Sequence, residues 1–275
     1  MGKFDGILIC TDLDGTLYKN DGSISNENKQ AIEYFKREGG LFTIITGRLP
    51  HYAKEAYNAV KPNVPFGCTN GAGLYDGEKG EYVFTLEMTS KLMEIVDYIE
   101  KAFPNVGIIV STLYKTYFSR VNDTVKGFIR RTNLPYIPLH HNSVKEPIAK
   151  VLFGTDDNDE MLAVQKAVFK HPLASEITFL RSERVLCDVL PKGTHKGVAL
   201  ENLIEYLKID KNKTIAVGDY YNDLGMFKVA RYGIAVKNAC KEALDAADII
   251  TVSNEEHALA KIISDIENGI IKFEN

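Results

Sequence analysis

Long apolar runs are missing from this 275-residue chain. No stretch approaches the ~18 consecutive apolar residues of a membrane-spanning helix, which excludes a helical membrane protein. Residues Met1 to Asp5 lead straight into a short strand with no long apolar signal region, so the expectation is a soluble, cytoplasmic protein. Cysteine is scarce, and Cys10, Cys68, Cys187 and Cys240 are far apart. That spacing gives neither a disulfide framework nor a metal-binding pattern and suits small buried side chains in a reducing compartment. Excess charge of one sign is also absent. The formal net charge is -4, with acidic and basic residues mixed throughout, so no basic field exists to hold a nucleic-acid backbone. With 45% apolar residues, a chain of this size buries roughly 70 to 75% of the surface its extended form exposes. It can support a large core and a smaller second domain.

The opening 70 residues alternate strand and helix. Ile7 to Cys10 reads as a central strand covered on both faces, residues 25 to 38 as a helix ending at Gly39-Gly40, and Leu41 to Ile45 as a second strand. Pro50 begins a helix running to about Val60, and Pro65 to Cys68 is a third strand. This rhythm predicts an α/β fold, a doubly wound parallel sheet of Rossmann-like form. After Asn70 the pattern changes. A hairpin is expected around Asp76 to Gly80, followed by helices and paired strands through Val189. Residues 87–188 therefore read as an inserted α+β domain, with the core built from residues 1–86 and 189–275. Beyond Thr194 the first rhythm resumes: a helix with Leu200, Leu203, Ile204 and Leu207 on one face, strands at Thr214 to Val217, Gly233 to Val236 and Ile249 to Val252, and a last helix behind the capping pair Ser253 and Glu256.

Polar groups stand at the expected carboxyl ends of core strands, where parallel sheets place their ligands. They are Asp12 and Asp14, then Thr46-Gly47-Arg48, then Asn70-Gly71, then Gly218-Asp219 with Asn222-Asp223. Asp-Gly and Gly-Asp pairs are also ordinary turn residues, but four such segments converging on one sheet edge make a site the better reading. Carboxylates crowded in this way repel unless a cation neutralises them, and an all-oxygen set suits Mg²⁺ better than zinc. Asp12 and Asp219 are expected as direct ligands, Asp14 through its backbone carbonyl, and Asp223 directly or through water.

The sequence resembles the haloacid-dehalogenase-like (HAD) hydrolase superfamily, and within it the Cof-like small-molecule phosphatases with the larger α+β (type IIB) cap. The resemblance covers essentially the whole chain. It rests on Asp12-Leu-Asp-Gly-Thr-Leu17, Thr46-Gly-Arg48, Asn70-Gly-Ala72, Lys192-Gly-Thr-His-Lys-Gly197 and Gly218-Asp-Tyr-Tyr-Asn-Asp-Leu-Gly-Met226. It implies that Asp12 is the nucleophile, Asp14 the acid/base, Thr46 the phosphate-binding hydroxyl, Lys196 the site lysine, and Asp219 and Asp223 the metal-binding acids. Tyr220-Tyr221 departs from the smaller or more polar residues of many relatives and is expected to narrow the pocket.

Elementary chemistry suits those roles. Phosphoryl transfer needs an in-line nucleophile and positive charge around the equatorial oxygens. Asp12 would form an aspartyl-phosphate, Asp14 would protonate the leaving alcohol and then deprotonate water, and Thr46 with Lys196 would hold phosphate oxygens. Leu13 through its amide, Gly47, Asn70 and Asn222 are further phosphate-contact candidates. Alternatives stand beside several of these: Thr46 as a helix start, Lys196 as a solvated first-turn residue, Asn70 as a turn former, and Arg48 as partner of a core carboxylate or of substrate. The insert is expected to close over the sheet edge and choose the leaving group. Its candidate contacts are Tyr114, Lys115, Arg120, His140, His141, Lys145 and Lys150, each of which also reads as an ordinary solvated side chain. His140-His141 without a third partner nearby makes a poor metal site, and the acidic run Asp156 to Glu160 reads as a first helical turn. The expected function is Mg²⁺-dependent hydrolysis of a small phosphorylated metabolite, a sugar phosphate or phosphorylated cofactor. The alternatives are a phosphomutase, or a binding protein that has lost turnover. Neither a nucleic-acid nor a membrane partner is expected, and the expected state is a monomer or weak homodimer.

Overall fold

A computed structural model describes residues 2–273. From the amino end run β1 (Leu8–Thr11), α1 (Asn26–Arg37), β2 (Leu41–Ile44), α2 (Lys54–Val60), β3 (Phe66–Cys68), β4 (Gly73–Asp76) and β5 (Glu81–Thr85). Then come α3 (Met93–Ala102), β6 (Gly107–Thr112), β7 (Thr116–Arg120), α4 (Asp123–Thr132), β8 (Ile148–Gly154), α5 (Asn158–Lys170), β9 (Ile177–Glu183) and β10 (Leu186–Pro191). The chain closes with α6 (Lys196–Leu207), β11 (Thr214–Gly218), α7 (Leu224–Val229), β12 (Tyr232–Ala235), α8 (Lys241–Ala246), β13 (Ile249–Ile250) and α9 (Ala258–Glu267). No helix among the described residues is long and apolar enough to cross a membrane.

Two compact units result, one made from the segments up to Thr85 and from His195 onward, the other from Leu86–Thr194. In the first, a five-stranded parallel sheet has the order β13-β12-β11-β1-β2. All four residues of β1 are buried because both its faces are covered. Alternation sends Ile9 into a core with Ile32, Phe35, Ile262 and Ile263, and sends Leu8 and Cys10 into a second core with Ala199, Leu200 and Met226. Helix α1 starts where the Ser25 hydroxyl accepts the Asn28 N–H at 3.2 Å, and the chain leaves it through Gly39 at φ +91°.

Two expectations need correction, and one helix went unread. The segment at Pro65 to Cys68 is not a full strand of the parallel sheet. It makes a single parallel bridge, Ile45 with Gly67, and otherwise pairs antiparallel with β4 in the sheet β3-β4-β5. Aromatic contacts hold it there, with Phe66 to Tyr75 at 5.6 Å and Tyr75 to Tyr82 at 5.1 Å. The Ser253–Glu256 box exists, but it caps the short turn Asn254–Glu256; α9 begins only after His257 at φ +62°. Helix α8, six residues long, was too short for its periodicity to announce it.

The second unit is an antiparallel sheet, β7-β6-β8-β10-β9. Its core joins Ile108, Val110, Val151 and Phe153 to Ile95, Ile99, Met161 and Val164 of α3 and α5. The insert continues past residue 188 because β10 pairs with β9 as far as Pro191 opposite Ile177, which moves the division to Thr194. The acidic run is a helix start: Asp157 accepts the Glu160 N–H at 2.8 Å, and Asp156 accepts the Thr124 N–H at 3.1 Å.

Phe35 is fully buried and packs on Phe4 with ring centroids 4.9 Å apart. Phe35→Ala is expected to lower stability by about 3 to 5 kcal/mol through lost burial and a residual cavity. Urea unfolding of the two proteins measures it.

Candidate active site

Backbone pairing delivers the site to one sheet edge. The β1–β11 register continues past Thr11, with the Asp12 N–H donating to Val217 O at 2.9 Å, so Asp12 emerges beside Gly218 and Asp219. Residues Leu13–Leu17 then form one wide turn closed by the Tyr18 N–H on Leu13 O at 2.8 Å. Gly15 holds φ +80° in that turn, and a Cβ there would lie 2.5 Å from Asp219 Oδ2. The turn is thus shaped to let a carboxylate approach the backbone.

At the centre is Lys196, first residue of α6 and fully buried. Its ammonium lies 2.5 Å from Asp12 Oδ1 and 2.6 Å from Asp223 Oδ1. A solvated first-turn lysine is therefore excluded. The cation sits at the helix end where the dipole disfavours it, and two carboxylates over-compensate. Burial works to lower its pKa, but Asp12 and Asp223 prevail and raise it, so the lysine is a fixed cation.

Asp223 is fully buried and fully engaged. Besides the Lys196 ammonium on Oδ1, its Oδ2 accepts the Asp219 N–H at 2.8 Å and the Tyr220 N–H at 2.9 Å. It fixes the loop that carries Asp219. Asp219 Oδ1 accepts the Thr16 hydroxyl at 2.9 Å. Burial first, then the Asp223 charge, push the Asp219 carboxyl up to about 6, against the Thr16 hydrogen bond and Lys196. Burial likewise pushes Asp12 upward; Lys196 opposes this, and Asp223 and Asp219 add to it.

Asp12, Asp219 and Asp223 each present a carboxylate oxygen, all within 4.8 Å of one another. The donors are oxygens without histidine or cysteine, and the carboxyls of Asp12 and Asp219 are raised by burial and mutual repulsion. Such a set fits a hard divalent cation. Both Asp223 oxygens also accept hydrogen bonds, through which the residue positions Asp219 and Lys196.

The remaining predicted residues fall into two groups. Thr46 is buried, and its hydroxyl accepts the Arg48 N–H at 3.2 Å. Asn70, buried at φ +55°, accepts from Asn222 Nδ2 at 3.2 Å, and a Cβ on Gly47 would meet Asn70 Oδ1 at 2.9 Å. Thr46, Gly47, Asn70 and Asn222 therefore form one connected polar patch. Leu13 places its side chain in the core, which leaves its backbone as the part able to face a ligand. Arg48 resolves differently. Its Nε donates to Asp14 Oδ2 at 3.0 Å and its terminal nitrogen to Oδ1 at 2.5 Å, while the guanidinium lies over the Tyr18 ring at 5.3 Å. The structure places Arg48 on Asp14.

Within the insert, Arg120 is fixed on the carbonyls of Glu100, Phe103 and Pro104, and Lys150 on Asp188 at 3.0 Å. His140 and His141 lie against Glu100. Tyr114, Lys115 and Lys145 are exposed. Tyr220 and Tyr221 pack edge to face on each other, both partly exposed. Sequence reasoning missed Thr16, which orients Asp219, and Asn238, whose Nδ2 donates to Gly15 O at 2.8 Å. Thr16 was legible inside the first motif; Asn238 carries no local signal.

Two outcomes are expected. Lys196→Met removes one partner of a buried ionic cluster and should cost about 3 to 5 kcal/mol in chemical unfolding. In chelator, Asp219 makes folding favourable below its unfolded pKa near 3.8, and this contribution is lost as pH rises through about 6. The thermal midpoint of the native protein relative to Asp219→Asn should therefore fall over that interval, and Mg²⁺ should abolish the fall.

The chain matches the model of a haloacid dehalogenase-like hydrolase family over residues 9–263. It is 27% identical over 286 residues to the 5-amino-6-(5-phospho-D-ribitylamino)uracil phosphatase YwtE of Bacillus subtilis, covering 95% of this chain and 98% of that protein. It is 25% identical over 283 residues to phosphatase YwpJ of the same organism, covering 93% and 98%. Among solved structures, a haloacid dehalogenase-like hydrolase from Bacteroides thetaiotaomicron superposes with a TM-score of 0.85 at 24% identity, covering 94% and 99% of the two chains. A subclass IIB sugar phosphatase, BT4131, gives 0.80 at 24% identity over 96% and 100%. With the family match spanning nearly the whole sequence, the chain belongs to the haloacid dehalogenase-like hydrolases.

Proposed function

We propose that the protein is a Mg²⁺-dependent phosphatase that hydrolyses small phosphomonoesters through an aspartyl-phosphate on Asp12. The observation that carries this reading is the fixed ammonium of Lys196 against Asp12 at the edge where Asp219, Thr46 and Asn70 also gather. Relatives named as phosphatases, one of a phosphoribitylaminouracil, support a small phosphorylated substrate.

Asp12 and Asp219, with the Asp14 carbonyl, would hold Mg²⁺, which when bound lowers the repulsion among carboxylates and phosphate oxygens. Asp12 attacks phosphorus with one carboxylate oxygen, the bond from phosphorus to the ester oxygen breaks, and the leaving alkoxide takes a proton from Asp14. Asp14 then removes a proton from water; the water oxygen attacks phosphorus, and the bond to Asp12 breaks to release inorganic phosphate. The Thr46 hydroxyl and the Leu13 amide donate to phosphate oxygens, and Lys196 keeps Asp12 oriented and opposes its protonation. The bidentate contact from Arg48 occupies both Asp14 oxygens, and the acid role requires that contact to open. The Asp14 side chain is 62% exposed and has room to do so.

In phosphate-release assays with Mg²⁺ across sugar phosphates, nucleotides and phosphorylated cofactors, Asp12→Asn is expected to lose at least about 10⁴-fold in kcat. Asp14→Asn is expected to lose about 10² to 10⁴-fold. Chelation should abolish release in the native protein. Unchanged turnover by Asp12→Asn would refute the assignment, and isomerised sugar phosphate without free phosphate would indicate mutase chemistry.

A further inference from the structure

The sequence offers His140-His141 as a pair with no third ligand in view, but the fold supplies one, Glu100, with Asp97 beside it. Asp97 and Glu100 are three residues apart on α3 and therefore share one face of that helix, and the turn at His141–Ser143 lies against it. Donor atoms of Glu100, His140 and His141 lie within 4.8 Å of one another, and Asp97 borders them on the His141 side. His141 Nε2 lies 2.7 Å from Asp97 Oδ1 and 4.0 Å from Glu100 Oε2, and His140 Nε2 lies 3.4 Å from the same Glu100 oxygen. The two imidazoles stack with centroids 4.2 Å apart. The cluster lies wholly within the inserted unit.

We propose that Glu100, His140 and His141, bordered by Asp97, form a transition-metal site whose ligand set selects Zn²⁺, with the fourth position open to water. In a tetrahedral zinc site with ligands at about 2.0 to 2.1 Å, donor atoms stand roughly 3.4 Å from one another. Of the two contacts to Glu100, the one from His140 stands at that value and the one from His141, at 4.0 Å, has to close by about half an ångström. The Asp97 contact is shorter because a hydrogen bond now occupies it, and it opens when the ion replaces the proton. Two imidazoles separate this site from an all-oxygen magnesium site by chemistry as well as by place.

The surrounding groups already orient the ligands. His141 has a fully buried ring, and its Nδ1 lies 3.0 Å from the Ser119 hydroxyl, which also accepts the His141 backbone N–H at 3.0 Å. Because a hydroxyl both donates and accepts, Ser119 supports the Nδ1–H tautomer that an Nε2-bound metal requires, and equally the tautomer that donates to Asp97. Arg120 occupies Glu100 Oε1 at 3.1 Å while anchored on three carbonyls at the end of α3, which turns Oε2 toward the histidines. Asn142 Nδ2 holds Asp97 Oδ1 at 2.8 Å. Two contacts have to be given up, the His141–Asp97 hydrogen bond and the 3.3 Å hydrogen bond from the Asn142 N–H to His140 Nδ1. His140 is half exposed, so an ion reaches the cluster from solvent. Binding would tie residues 133–147, largely without regular structure, to a helix of the unit's core.

The test uses the full chain, stripped with chelator and returned to buffer with excess Mg²⁺. Zn²⁺ titrated calorimetrically should bind at one equivalent, and affinity should fall at least about tenfold in both His140→Ala and Glu100→Gln, the order that loss of even outer partners produces. Both replaced side chains lie at least partly at the surface, and unchanged far-ultraviolet circular dichroism checks their folding. Asp219→Asn should retain the equivalent. Co²⁺ in place of Zn²⁺ should give the intense visible absorption of a tetrahedral centre, lost in the same two variants. Zinc binding that survives both substitutions, or that disappears with Asp219→Asn instead, would overturn the proposal, as would a cobalt complex with only weak octahedral absorption.

Discussion

A single buried ammonium organises the core unit. Lys196 has no exposed surface, so its charge is tolerable only because Asp12 and Asp223 close on it from two other segments. That requirement ties the first strand, the helix that follows the insert and the loop after β11 into one arrangement. It also gives each carboxylate a different task. Asp12 has one oxygen held by the lysine, whereas Asp223 is consumed by hydrogen bonds and serves to shape the loop carrying Asp219. Three acids of the same charge, a few ångströms apart, thereby acquire distinct chemistry from distinct surroundings.

The discontinuity of the core follows from the same constraint. β1 and β11 are neighbours in the sheet although the insert lies between them in sequence, and their pairing register sets Asp12 beside Gly218. A glycine at position 15 lets the first loop fold against Asp219, and the Thr16 hydroxyl completes the contact. The site is therefore assembled from backbone pairing first and side-chain chemistry second.

The parts readable from sequence were those with a local physical cause. Four-residue apolar strands ending in acids, the Ser25 cap, the left-handed Gly39 and the acidic start of α5 all depend on neighbours within a few positions. Asp12, Asp219 and Lys196 were legible because buried charges at strand and helix ends have few structural excuses. The partner of Arg48 was not, since pairing with Asp14 and pairing with substrate leave the same trace in the chain. Nor was the antiparallel attachment of β3, which depends on aromatic contacts with Tyr75, or the role of Asn238, which reaches Gly15 across most of the sequence. The histidine pair shows the limit most plainly. Glu100, and Asp97 that borders it, lie some forty residues upstream at helical spacing, visible only once α3 and the turn at His141 are brought together.

The central claim is that Asp12, held by Lys196, takes the phosphoryl group. It is tested most directly by acid-quenching the enzyme during turnover of a phosphomonoester with Mg²⁺ and mapping the phosphorylated peptide by mass spectrometry. The account predicts an acid-stable, base-labile phosphoryl group on Asp12. A phosphoryl group on any other residue, or none under conditions that trap an acyl-phosphate standard, would contradict it.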